Sequence, residues 1–394
     1  MDPELRQDCI KVTVAHMVRF SENDIISLVG AAPRFDLAES LGPDLRLAEV
    51  LQAGSPSSLG DLELGYGSAQ GDHSLREAIA ALHGVGAENV VVTVGGMHAL
   101  FLLAFILCDR GEEAVTTSPL FPLARNVLQA VGASVRVLPL AFDRGYRPDL
   151  AELGGLISAR TRLVSLASPQ NPSGVVIPAQ TLRGILALMQ DKCPDAYLLV
   201  DETYREAAYG DDPVAPSAVA LGRRVVSVAS LSKCHGAPGL RLGWAITGDA
   251  GLGRQLVLGK FNTVISCSRL DEALALEVLA QRERLIGERR QKLAEGLRIT
   301  AEWVARNGTF IDWVRPDAGA LCCVRLKPAA FDDAAVERFY QCLPREDVRV
   351  ARGTWFADEA RVFRLGFGLL ATVDLRVALA GVSAVLRQTA RAAA

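Results

Sequence analysis

The sequence predicts an α/β protein: a large domain whose seven-stranded, mostly parallel sheet is covered by helices on both faces, followed by a smaller α+β domain. Three observations predict it. Short runs rich in Val and Leu recur through the middle of the 394 residues, they are continuous rather than alternating with polar residues, and helix-length segments separate most of them. A strand covered on both faces needs apolar side chains on both sides of its pleat, so an unbroken run marks a buried parallel sheet.

In chain order the expected strands are NVVVTVGG (89–96), EAVTTSP (113–119), SVRVLPLAF (134–142), TRLVSLASPQNPSG (161–174), AYLLVDETY (196–204), RRVVSVASLSK (223–233) and LRLGWAIT (240–247). The first ends on two glycines that open the helical run MHALFLLAF. From about Leu252 to Arg298 the pattern turns helical and charged. Beyond it, TFIDWVRPDAGALCCVRL, VRVARG and RVFRLGF read as short strands among helices, and the final RQTARAAA reads as a frayed helix end.

Composition narrows the function. A net charge of −3, with 22% charged residues and no block of one sign, gives no footprint for nucleic acid or an anionic membrane and favours small-molecule work. Eight cysteines without a CxxC pair, two of them adjacent at Cys322 and Cys323, suggest free thiols in a reducing cytoplasm. Five histidines fall at no metal-ligand spacing, so no metal is expected. The opening MDPELRQDCIKVTVAH is charged where a signal peptide needs an apolar run, and ALFLLAFILC is too short to cross a bilayer.

Parallel sheets carry ligands beyond the carboxyl ends of their strands, so the residues there matter most. Gly95 and Gly96 open a helix whose free N–H groups suit a phosphate. Phe121, Asn171, Asp201, Tyr204, Ser230, Ser232 and Lys233 follow later strands. Singly they mean little: an aspartate after a strand caps helices, a phenylalanine fills cores, and a lysine is solvated. Together they suit a flat, phosphorylated, cationic heterocycle. Cys234 reads as a small filler.

YGSAQGDHSLREAIA, TVGGMHAL, SPQNPSG, LLVDETYREAAY, SLSKCHGAPGLRLGW and FRLGF also occur in one order. In them the sequence resembles the class I/II aminotransferases, fold type I pyridoxal 5′-phosphate (PLP) enzymes of the aspartate aminotransferase kind, from ISLVGAAPRF to FRLGFG. The resemblance implies that Lys233 is the Schiff-base lysine and proton carrier, that Asp201 pairs with the pyridine nitrogen, and that Tyr204 and Asn171 bond the phenolic oxygen. It stacks Phe121 on the ring. It gives the phosphate to the turn at Gly95, Gly96 and Met97, to Ser230, Ser232 and Arg241, and to Tyr66 of a neighbouring subunit. Arg364 would hold the substrate's α-carboxylate, with Asn171 and Ala31 beside it.

The same resemblance implies a cytoplasmic homodimer that moves an amino group between an α-amino acid and a 2-oxo acid. It divides the chain into a segment 1–45 packing with the small domain, a PLP-binding domain 46–285 and a small domain 286–394. Three departures stand out. Ala31 replaces a glycine common in the family, Arg34 either selects an acidic side chain or caps a helix, and FNTVISCSRLDEALAL leaves Ser268 and Arg269 as candidates only. Tyr66 also reads as packing beside Gly67. Alternatives are another PLP reaction (an elimination, a decarboxylation or a cyclisation in secondary metabolism) and a non-catalytic effector-binding domain, for which the chain lacks a basic DNA-binding extension.

Overall fold

The computed structural model describes residues 19–28, 31–51 and 59–391. Cys9, His16 and much of the segment 1–45 therefore lie outside the described residues. All seven expected strands form. After a short β1 (Phe35–Asp36) come β2 (Val90–Val94), β3 (Glu113–Ser118), β4 (Ser134–Pro139), β5 (Thr161–Ala167), β6 (Tyr197–Asp201), β7 (Val225–Ser230) and β8 (Leu242–Thr247). They build one sheet in the order β2-β8-β7-β6-β5-β3-β4. Only β8 runs against its neighbours, pairing antiparallel with both β2 and β7. The carboxyl ends of the other six strands thus share one edge.

Both faces of this sheet are covered, as the continuous apolar runs require. Along β6, Leu198 and Val200 enter one buried cluster while Tyr197 and Leu199 enter another on the opposite face. Helix Gly95–Leu107 lies in the second cluster through Ala99, Leu100, Leu102, Leu103 and Ala104.

Five more strands follow, β9 (Ile311–Val314), β10 (Leu321–Leu326), β11 (Val348–Arg349), β12 (Ala351–Arg352) and β13 (Val362–Gly366), and all but β11 form a second sheet. Its order is β12-β13-β10-β9, all antiparallel. VRVARG does not make one strand: β11 pairs parallel with β1, and β12 joins β13. Phe35 and Leu37 are buried in the same cluster as β10, β13 and helix Thr372–Thr389. The expected frayed end starts later than RQT, because Thr389 is buried at the end of that helix and Arg391 ion-pairs Asp332 at 2.8 Å.

Candidate active site

The strand ends converge as expected. Gly95 has φ +71°, and a Cβ there would stand 2.6 Å from Arg241 Nη2, so the glycine lets the guanidinium lie against the helix's first turn. Arg241 is itself left-handed at φ 49°, and its Nη1 donates to Pro238 O at 2.8 Å. Beneath this turn Gly243 of β8 passes so close that a Cβ would sit 2.5 Å from Gly95 C and Gly96 N. The small residues around the lysine segment therefore serve a close approach of backbones. Buried Ser230 completes the cradle, its Oγ accepting from Ser232 N at 3.3 Å, and Met97 packs its side chain away into the core.

Asp201 ends β6, with Oδ1 accepting from Thr203 N at 2.9 Å. Burial raises its carboxyl above the ordinary range. Phe121 and Asn171 line one recess with it. Lys233 Nζ donates to Ser40 Oγ at 3.3 Å, and the Tyr204 hydroxyl donates to the same oxygen at 2.9 Å. Burial brings the Lys233 amine down to about 8, against the opposing charge of Glu39. Glu206 holds the chain after the lysine, bonded by Arg282 and facing His235 Nε2 at 3.3 Å. Cys234 donates to Thr203 O at 3.1 Å, and burial pushes its thiol up to about 12, which fits the filler reading.

Arg364, on β13, is 1% exposed. Its Nη1 donates to Asn171 Oδ1 at 2.8 Å, its Nη2 to Ala38 O, and its guanidinium lies 4.6 Å over the Phe356 ring. Its Nε is buried without a partner. A buried donor left unpaired is costly, so this nitrogen is set for an acceptor from outside the chain. Arg364, Lys233, Phe121 and Ser40 line a cleft of about 1090 Å³.

Not every expected residue comes here. Ala31 is exposed and does not line the cleft. Arg34 is exposed, its guanidinium 4.7 Å over the Phe35 ring, away from the cleft. Tyr66, Ser268 and Arg269 line a separate groove of about 500 Å³, and Arg269 Nη1 donates to Glu63 O at 2.8 Å. Sequence reading missed Ser40 and Glu39, which follow no motif and meet Lys233 only through the fold.

These residues fit a phosphorylated pyridine aldehyde. The helix N-terminus with Arg241 offers fixed donors to a phosphate, and the raised Asp201 carboxyl gains from a cationic ring nitrogen.

The model of the family "aminotransferase class I and II" matches residues 35–390. Capreomycidine synthase of Streptomyces vinaceus is 32% identical over 347 residues, 86% of this chain and 87% of that one. The arginine–pyruvate transaminase AruH of Pseudomonas aeruginosa is 30% identical over 329 residues, 79% of this chain and 80% of that one. Among solved structures, the PLP-dependent cyclase OrfR superposes with a TM-score of 0.80 at 28% identity, covering 91% of this chain and 94% of that one. This chain belongs to the class I and II aminotransferase family, whose enzymes work with pyridoxal 5′-phosphate.

Proposed function

We propose that the protein is an aminotransferase, moving an amino group between an α-amino acid and a 2-oxo acid. The observation that carries this reading is one cleft holding a half-buried lysine, bonded to Ser40 and brought down to about 8, and a buried arginine with an unpaired Nε. PLP supplies, when bound, an electron-accepting ring for charge developing at the substrate's α-carbon. Lys233 Nζ moves the proton at that carbon, and its depressed pKa leaves a useful fraction of free base at neutral pH. Ser40 Oγ accepts from both Lys233 and Tyr204 and so orients the amine. Asp201 keeps the ring nitrogen protonated. Gly95, Gly96, Met97, Ser230, Ser232 and Arg241 bind the phosphate, Phe121 covers the ring, and Arg364 with Asn171 binds the α-carboxylate.

The reading includes a homodimer in which Tyr66 and Ser268 serve the neighbouring chain. It takes 1–45 with 286–394 as one unit against 46–285, which the packing of Phe35 and Leu37 into the C-terminal core supports. A reducing cytoplasm suits six buried free thiols among the described cysteines. A second reading, ring closure of the substrate, is supported by the cyclase and synthase among the similar proteins. Pocket geometry decides between such outcomes on one cofactor.

The test is to give the PLP-loaded protein an amino acid panel and then 2-oxo acids. Visible absorbance should fall with an amino acid and return with a 2-oxo acid, with the new amino acid detected by mass spectrometry. Lys233→Ala should abolish the cycle. A dehydrated or cyclised product without amino transfer would select the second reading.

A further inference from the structure

Three carboxylates line the Lys233 cleft, Glu22, Asp24 and Glu39, together with three cations, Lys233, Arg364 and Arg352. In the proposed function two of these cations are committed, Lys233 to PLP and Arg364 to the α-carboxylate. Arg352 is already occupied: its Nη1 donates to both oxygens of Glu337, at 3.3 and 3.2 Å, and its guanidinium lies 4.3 Å over the Tyr340 ring. Glu22, Asp24 and Glu39 have no ion-pair partner among the described residues. Glu39 is the least exposed of the three. It is half-buried, next in sequence to Ser40, and its charge reaches both the Lys233 amine and the Arg364 guanidinium.

An acidic wall alone is often just a solvated surface. Here Arg364 adds an independent sign of a ligand, since a side chain 1% exposed keeps an unpaired Nε in the same cleft. One end of the cleft thus asks for an anion and its wall for a cation. A half-buried carboxylate without a partner loses solvation that a bound cation restores. An acidic side chain would meet three like charges, and a neutral one would leave Glu39 unpaired.

We propose that the substrate is an α-amino acid whose side chain ends in a cation, a guanidinium or an ammonium, held by Glu39 and approached past Glu22 and Asp24. This rests on the proposed function, because it takes Arg364 as the α-carboxylate site.

The experiment compares L-arginine with its neutral isostere L-citrulline, and L-lysine with L-norleucine, adding L-glutamate, on the PLP-loaded protein. Substrate consumption is followed by mass spectrometry, whichever product forms. The expected result is at least tenfold higher kcat/KM for one cationic member over its neutral counterpart, carried mainly by KM and weakened by salt. The guanidinium and ammonium pairs show which head group fits. Glu39→Gln should remove most of that ratio and Glu39→Asp should keep part of it. Glu22→Gln with Asp24→Asn, at exposed positions that do not threaten folding, should lower it less. Neutral or acidic amino acids consumed as well as cationic ones, or a ratio unchanged in Glu39→Gln, would overturn the proposal while leaving the aminotransferase reading in place. Consumption of no amino acid would overturn both.

Discussion

In the proposed function Lys233 is the residue on which the chemistry turns, and its protonation can be read directly. Only a neutral amine adds to an aldehyde. Burial lowers Lys233 from its usual 10.5 to about 8, while Glu39 and Asp44 pull the other way. Below pH 8 the neutral fraction falls tenfold for each pH unit. The rate at which apoprotein regains visible absorbance with PLP should therefore climb about tenfold per unit and level off near pH 8. An ordinary lysine would keep climbing past pH 10. Glu39→Gln removes a charge that favours the ammonium, so its plateau should begin at lower pH, and a plateau that stays put would mean Glu39 does not face the amine. Ser40 belongs to the same scale. It bonds Tyr204 and Lys233 across 164 and 193 residues of sequence, a proximity that no local pattern announces.

At the scale of elements, the proposed phosphate cradle depends on how β8 meets helix Gly95–Leu107. A Cβ on Gly243 would lie 2.5 Å from two backbone atoms of that helix's first turn and 2.8 Å from Ala229 O, and backbone cannot swing aside as a side chain can. Gly243→Ala should therefore push the helix start away from β8. Overpacking of this kind costs about 1–3 kcal/mol. A PLP titration should show at least tenfold weaker binding, and a urea titration an earlier midpoint. Wild-type PLP affinity would show that the turn accommodates the methyl without moving. The same elements show how far the sequence could be read. Seven strands were legible because continuous Val and Leu runs are the direct imprint of burial on both faces. The reversed direction of β8 was not, since an apolar run reads alike in both directions. Nor was the splitting of VRVARG, where Asp36 on β1 pairs with Arg349 on β11 at 2.5 Å and detaches it from β12, a contact spanning 313 residues. The convergence of the motif residues in the proposed cofactor site was legible because most sit at strand ends that the runs had marked. Glu39 lies in irregular backbone outside those ends.

At the scale of the whole molecule, Tyr66 is out of place within its own chain. Tyr66 is 82% exposed and lines the groove with Ser268 and Arg269, while Lys233 lies in the other cleft. Around it Leu64, Val264, Ile265 and Leu270 are exposed, and Phe261 stands nearby on helix Ala250–Val264. A grouping of large apolar side chains with a tyrosine and an arginine is the composition of a protein interface. If two chains bury this face against each other, Tyr66 can serve its partner's phosphate without folding back on its own. Tyr66→Phe should then weaken PLP binding by about 1.5–3 kcal/mol, the loss of one bond to a charged group. Hybrids with Lys233→Ala decide whose site it serves. In trans, the site built on the Tyr66→Phe chain takes its tyrosine from the Lys233→Ala chain and is whole, while the other site carries both defects. The hybrid should then show half the wild-type PLP content at wild-type affinity. In cis, each site keeps one defect and none is restored. Sedimentation of a fully active monomer, or hybrids without a wild-type site, would remove the shared interface and return Tyr66 to its own subunit.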